Sequence, residues 1–120
     1  MIDPAHLVGV GGALGALCRY WTDALLETER FPLSTLTVNV LGSFVLGLVV
    51  FADLGESIVL FVGLGFCGAY TTFSTFSVET VQLWEEGYPR IATVYALANI
   101  VVSVLAIGMA WVFVEWVPLG

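Results

Sequence analysis

The chain has 120 residues, of which 59% are apolar and only 11% are charged. Soluble domains contain about 45–50% apolar residues, so this composition indicates a protein whose solvent is the bilayer. It excludes a soluble catalytic domain and a large extramembrane receptor. The formal net charge of −7 also excludes nucleic acid as a partner.

Long stretches without Asp, Glu, Lys or Arg divide the chain. Residues 31–52, 57–78 and 91–114 are free of these side chains, and each window is long enough for the roughly 20 residues that cross a hydrocarbon core. A fourth apolar stretch near the N-terminus is interrupted by Arg19 and Asp23. The sequence therefore predicts an all-α membrane protein: one domain over residues 1–120, with four transmembrane spans at about residues 5–26, 32–51, 57–84 and 89–116.

The first span carries closely spaced glycines and one arginine. Gly11 and Gly15 are four residues apart, a spacing that lets another helix backbone approach closely. This approach is either a contact between subunits or packing within one bundle. Arg19 follows deep in the same span, where a guanidinium is costly unless it faces a partner or a wet cavity. It either attracts anions there or extends along the helix to the interface.

The second and fourth spans each carry a polar stripe, because polar residues recur at every fourth position and so share one helical face. A single Asn or Ser in a membrane helix commonly forms an interhelical hydrogen bond. Two matching stripes instead favour a pathway lined by neutral hydrogen-bond donors, suited to a dehydrated ion and not to a proton relay. The stripes are Thr35, Asn39 and Ser43 in the second span, and Tyr95, Asn99 and Ser103 in the fourth.

The third span contains a segment that is poor material for a continuous helix. Three glycines between residues 63 and 68 are followed by five Ser or Thr residues between positions 71 and 77, and such side chains compete for backbone hydrogen bonds. We expect a break near the bilayer midplane, where freed carbonyls suit a hard cation such as Na⁺.

Phe73 and Phe76 follow that break, three residues apart. Judged from the residues alone, two phenylalanines at this spacing usually serve only to pack the core. Their electropositive ring edges could also attract a small anion. Glu79 is either an interfacial acid or a vestibule charge. Cys18 and Cys67 lie in apolar runs and are expected to be buried as small hydrophobes.

The loops carry a faint orientation signal. Arg30 and Arg90 fall in the first and third loops, which favours a cytoplasmic position for both by the positive-inside rule. The ten acids and the absence of lysine are also compatible with a halophilic source.

Three motifs together resemble a known family. They are Gly11-Gly12-x-x-Gly15-x-x-x-Arg19-Tyr20, Thr35-Leu-x-x-Asn39-x-x-Gly42-Ser43-Phe44 and Gly65-Phe-Cys-Gly68-x-x-Thr71-Thr72-Phe73-Ser74-Thr75-Phe76. In a four-span chain of this length, this pattern resembles the small fluoride channels of the Fluc or CrcB family. The resemblance extends over essentially the whole chain.

The resemblance implies a passive, fluoride-selective channel of the plasma membrane, not an enzyme, that lowers cytoplasmic fluoride and confers fluoride resistance. It further implies an antiparallel dimer in the lipid bilayer, formed with a second copy or a closely related chain, with two pores and a central structural Na⁺. An amide at position 99 departs from the family, in which a small hydroxyl residue is common there. By the resemblance, the fluoride pore comprises Phe73, Phe76, Asn39, Thr35, Tyr95, Asn99 and Ser103; Arg19 and Glu79 lie at a vestibule; and Gly68 and Thr71 give backbone carbonyls to Na⁺.

Two other functions are compatible with four short spans. A small multidrug exporter, which exchanges protons for cationic drugs, needs a carboxylate embedded in the membrane, and the acid of the first span is Asp23, near its end. A purely structural membrane protein would give no reason for two polar stripes beside a broken helix.

Overall fold

The computed structural model of the chain describes residues 2–28 and 30–117. Every regular element in these two ranges is a helix, which confirms the all-α prediction. Three stretches are long and apolar enough to cross a membrane: Leu33–Ala52, Glu56–Glu85 taken across its break, and Pro89–Trp116. The helices are α1 (Pro4–Leu25), α2 (Leu33–Ala52), α3 (residues 56–70), α4 (Phe73–Glu85) and α5 (Pro89–Trp116).

Local sequence signals set the helix ends. The Asp3 carboxylate accepts a hydrogen bond of 2.8 Å from the Ala5 N–H, as a good N-cap does. Pro89 begins α5, where its missing N–H costs nothing. The turn after α2 has positive φ at Asp53 and Gly55, a conformation that glycine adopts readily.

Helix α3 is α-helical over Glu56–Ile58 and Gly68–Tyr70 and π-helical over Val59–Cys67. At the end of the π-helical stretch, the Gly68 N–H reaches the Gly63 carbonyl, five residues back. Long π-helical stretches are rare, and the sequence did not predict this one.

The chain leaves the helix at Thr71 and Thr72, between α3 and α4. Both residues have extended backbone, with ψ of 161° at Thr71 and 122° at Thr72. The Thr72 hydroxyl then accepts a hydrogen bond of 3.1 Å from the Thr75 N–H, which caps the start of α4. The interruption falls within the segment in which glycine, serine and threonine predicted it.

Helix α1 crosses α3 at backbone contact, and glycines on both helices permit this approach. A Cβ on Gly11 would overlap the Phe61 carbonyl, and one on Gly15 would overlap the Phe66 carbonyl. On the other side of the crossing, a Cβ on Gly65 would lie 2.7 Å from the Val8 carbonyl oxygen. Of the two roles that the sequence left open for the glycine pair, this geometry assigns packing within one bundle.

Substituting Gly15 with alanine is expected to destabilise the protein, because the added methyl group overlaps rigid backbone. Overpacking of this kind costs about 1–3 kcal/mol. Gly9→Ala is the matched control, since nothing lies within 4 Å of the Cβ position at Gly9 and both changes gain the same helix propensity. Thermal unfolding in detergent compares the two variants, and equal unfolding temperatures would contradict the close crossing.

The remaining helices pack around aromatic residues. A buried cluster joins α4 to α5 through Phe76, Leu83, Ala92 and Tyr95, while α2 lies along α5, where Gly47 leaves space for Ala110. Large apolar side chains cover the exposed face of α5. Among them are Val94, Leu97, Val101, Val104, Leu105 and Met109.

Candidate functional site

A groove of about 540 Å³ lies between α2, α3, α5 and the start of α4. It contains residues from both predicted polar stripes, the backbone of the helix break and the phenylalanine pair. These features come from distant parts of the sequence, and the fold brings them to one surface. The predicted stripe, pore and Na⁺ residues that line the groove are Asn39, Ser43, Gly68, Thr71, Phe73, Phe76, Asn99 and Ser103.

Asn39 binds the backbone of the helix break. Its Oδ1 accepts a hydrogen bond of 2.8 Å from the Thr72 N–H, and its Nδ2 donates one of 3.1 Å to the Thr72 carbonyl. The amide thereby replaces helical partners that Thr72 loses by adopting an extended conformation. One side chain of α2 thus stabilises the irregular backbone between α3 and α4.

The polar stripe of α5 continues this network. Asn39 Nδ2 donates a second hydrogen bond, of 2.9 Å, to Asn99 Oδ1, and Asn99 Nδ2 donates to the Tyr95 carbonyl at 3.0 Å. The Tyr95 hydroxyl in turn donates to Glu79 Oε1 at 2.9 Å. Polar contacts therefore extend from the helix break to the backbone of Tyr95, and the hydroxyl at the other end of the same side chain contacts the carboxylate of α4.

The two phenylalanines differ sharply in exposure although their rings touch. Phe73 is 78% exposed, whereas Phe76 is 9% exposed. Their ring centroids are 5.7 Å apart with an interplanar angle of 66°, an edge-to-face arrangement. Phe76 also contacts the Tyr95 ring at 5.7 Å. The buried ring is part of the α4–α5 core, and the exposed ring extends from the groove.

The outer members of the two stripes have different environments. Ser103 lines the groove, and its buried Oγ has no hydrogen-bond partner among the residues that the structure describes. Ser43 lines the groove on the α2 side. Thr35 is buried beside Tyr95, and neither of these two residues belongs to the groove wall.

Arg19 and Glu79 lie beside a second polar hollow, of about 320 Å³, on α4. The half-buried Arg19 donates from a terminal guanidinium nitrogen to Thr75 Oγ1 at 2.7 Å, and Thr75 and Glu79 line the hollow together with Ser74. The guanidinium is therefore held against α4 by a neutral hydroxyl. Arg30, in the loop after α1, stacks on the Tyr88 ring, with its Cζ 4.2 Å from the ring centroid.

Backbone carbonyls are the available metal ligands at the break. In a continuous helix the Thr72 N–H would bond to the Gly68 carbonyl, but here it donates to Asn39 instead. Thr71 donates both its N–H and its hydroxyl to the Cys67 carbonyl. Within residues 2–28 and 30–117, no group of three or more His, Cys, Asp or Glu side chains could hold a metal ion.

Sequence reasoning missed the roles of Thr72 and Thr75. Thr72 is the residue that Asn39 binds and the cap of α4, and Thr75 is the partner of Arg19. The cap had a local signal, since threonine is a preferred residue immediately before a helix. The Arg19 contact had none, because it joins residues 56 positions apart.

Comparison with known proteins identifies close relatives over nearly the whole chain. The family model described as CrcB-like protein, camphor resistance (CrcB), matches residues 6–111. The chain is 54% identical over 110 residues to the fluoride-specific ion channel FluC 2 of Haloarcula marismortui, covering 92% of each chain. It is 45% identical to FluC 1 of Halobacterium salinarum, over 92% of this chain and 93% of that one. A bacterial relative, FluC of Saccharophagus degradans, is 46% identical over 90% of this chain and 86% of its own.

Proposed function

The chain belongs to the CrcB family, and we propose that it is a fluoride-selective channel through which fluoride leaves the cell passively. The observation that carries this proposal is the groove, in which two neutral polar stripes, a broken helix and an edge-to-face phenylalanine pair converge. Relatives named as fluoride-specific ion channels support the choice of ion. A channel of this kind performs no covalent chemistry and is not an enzyme.

The chemistry of the groove suits a small anion that is a strong hydrogen-bond acceptor. Fluoride must exchange water for donors along its path without binding too tightly to leave. The amide of Asn99 and the hydroxyl of Ser103 supply neutral donors in the groove. Beyond the groove wall, the Tyr95 hydroxyl reaches Glu79, and Thr35 is buried beside Tyr95. The positive edges of the Phe73 and Phe76 rings add weak attraction in a site with little water.

One chain supplies only part of an enclosed pathway, so we propose an antiparallel dimer with two pores. The groove is open along one side, and the Phe73 ring protrudes from it with 78% of its surface exposed. A second copy, or a closely related chain, would cover this ring and close the groove.

The break provides a donor set that fits Na⁺. Hard cations favour oxygen ligands, and unwound carbonyls in membrane helices commonly coordinate sodium. Gly68 is exposed, and a Cβ there would meet nothing within 4 Å, which leaves room for an ion and a second chain. Gly68 and Thr71 would each give a backbone carbonyl, and two subunits would give four. The ion would supply a fixed positive charge that holds the two breaks together.

The proposed topology has four crossings in the plasma membrane. Helix α1 has 22 residues and is about 33 Å long at 1.5 Å per residue, which is sufficient for the fourth crossing. Its interior charge, Arg19, is hydrogen-bonded to α4 and would lie at a vestibule, where it attracts anions. Arg30 and Arg90 favour a cytoplasmic position for the first and third loops.

The exporter alternative receives no support from Asp23. This carboxylate is exposed near the end of α1 and accepts a hydrogen bond from the Ser34 hydroxyl. A proton-coupled exporter needs an acid inside the transport path, whereas Asp23 does not line the groove.

The proposal predicts fluoride release from liposomes that contain the purified protein. With a potassium ionophore to dissipate the membrane potential, we expect fluoride efflux far above that of protein-free vesicles and no efflux of chloride. A fluoride electrode and a chloride electrode measure the two ions in matched samples. Fluoride efflux equal to that of empty vesicles would overturn the channel assignment, and equal release of both ions would overturn the selectivity.

A further inference from the structure

The amides of Asn39 and Asn99 are joined across the groove by a direct hydrogen bond. Asn39 Nδ2 lies 2.9 Å from Asn99 Oδ1, and both residues line the same cavity. Asn99 is 4% exposed, so water does not readily take the place of its oxygen. This amide pair is the narrow polar link between α2 and α5 at the level of the helix break.

Counting hydrogens on the two amides shows how the bond affects an anion. An Asn side chain carries two amide hydrogens. Asn39 uses one for the Thr72 carbonyl and the other for Asn99 Oδ1, so its donor capacity is exhausted within the chain. The bond to Asn99 Oδ1 does not involve the backbone of the helix break. An ion can therefore replace Asn99 Oδ1 as its acceptor without disturbing that backbone.

The next donor along α5, the Ser103 hydroxyl, still has its hydrogen available. Ser103 Oγ is buried in the groove wall and has no partner among the residues that the structure describes. It lies four residues beyond Asn99, about 6 Å along the helix axis. An anion near this level would find the Ser103 hydroxyl ready to donate, whereas the facing Asn39 hydrogen is already occupied.

We infer that Asn99 controls fluoride affinity in this chain by competing with the ion for the second amide hydrogen of Asn39. Fluoride that enters the groove must displace Asn99 Oδ1 before Asn39 can donate to it. This inference rests on the proposed function and concerns how the groove holds the ion. In this role Asn99 acts through Asn39 as a positioning residue, separately from the amide donor that it contributes to the groove.

The variant Asn99→Ser provides the first test. Its hydroxyl is one bond shorter than the amide oxygen and cannot reach Asn39, yet it keeps a donor in the groove. Release of the Asn39 hydrogen should therefore strengthen fluoride binding. A net hydrogen bond contributes about 1 kcal/mol, so the fluoride concentration for half-maximal efflux should fall about five-fold.

Aspartate at the same position provides a test in the opposite direction. Asn99→Asp has nearly the same shape and keeps an acceptor for Asn39, but binds the amide hydrogen more strongly as a charged acceptor. The half-maximal fluoride concentration should rise about five-fold from the stronger bond, which is roughly twice as strong as the neutral one. It should rise further because the carboxylate charge repels the anion. Val104→Ala, on the exposed surface of α5, is the control and should behave as wild type.

Initial efflux rates from liposomes, measured against fluoride concentration, give the first readout. Isothermal titration of the detergent-solubilised protein with sodium fluoride gives binding independently of transport. The inference is supported if affinity decreases in the order Asn99→Ser, wild type, Asn99→Asp. It is overturned if Asn99→Ser binds fluoride no more tightly than wild type, whatever the result for Asn99→Asp, because a negative charge alone would weaken the binding of an anion. Absence of efflux from wild-type liposomes would instead refute the proposed function, and the binding order would still decide the role of Asn99.

Discussion

Replacing Phe73 with isoleucine is expected to lower fluoride efflux about ten-fold while lowering the unfolding temperature less than Phe76→Ile does. The ring is 78% exposed, so its removal costs little core packing within the chain. The substitution removes the aromatic edge beside the groove. Aromatic edge interactions contribute up to about 1.5 kcal/mol, and a loss of this size lowers a rate roughly ten-fold. Efflux from liposomes and thermal unfolding in detergent measure the two quantities on the same preparations.

Two further variants separate ring chemistry from packing. Phe76→Ile should lower efflux and also destabilise the protein by about 1–2 kcal/mol, because that ring is buried against Tyr95 and Leu83. Phe113→Ile is the matched control, since Phe113 forms a second edge-to-face pair with Phe44, at 6.4 Å, away from the groove. If Phe73→Ile and Phe113→Ile conduct equally well, the exposed ring has no role in conduction.

The helices were the most predictable part of this protein, and the reason is physical. A stretch that lies in hydrocarbon must be free of charge and must satisfy its backbone internally, so charge-free windows such as 91–114 predict helices. Periodicity also predicted that Asn39 and Ser43 share a face of α2, and both line one groove. The break was predictable because serine and threonine side chains compete with helical hydrogen bonds.

Partners across the sequence were not predictable in the same way. Periodicity indicates which residues share a face but not which helix that face meets, so the bonds from Asn39 to Thr72 and Asn99 could not be derived. The glycine pair of α1 had the same ambiguity, since Gly15 fits a neighbouring helix of its own chain as well as one of another. The sequence did not indicate the π-helical stretch of α3, because Val59–Cys67 is an apolar run with two glycines and carries no pattern specific to a π-helix.

Substituting Asn39 with aspartate is expected to abolish most conduction, with a fall in fluoride efflux of about 100-fold or more. The carboxylate keeps an acceptor for the Thr72 N–H but loses both donors, so the Thr72 carbonyl and Asn99 Oδ1 each face another acceptor. An unsatisfied buried polar group costs about 1–3 kcal/mol, and a fixed negative charge beside the path adds repulsion of the anion.

Asn39→Ser distinguishes the two causes, because serine also removes the amide donors but carries no charge. Both variants should unfold at lower temperature than wild type, since each weakens the support of the helix break. Aspartate should additionally suppress efflux well below the serine variant if Asn39 faces the permeating ion. Equal efflux from the two variants would limit Asn39 to supporting the backbone, and wild-type efflux from Asn39→Asp would exclude it from the fluoride path altogether.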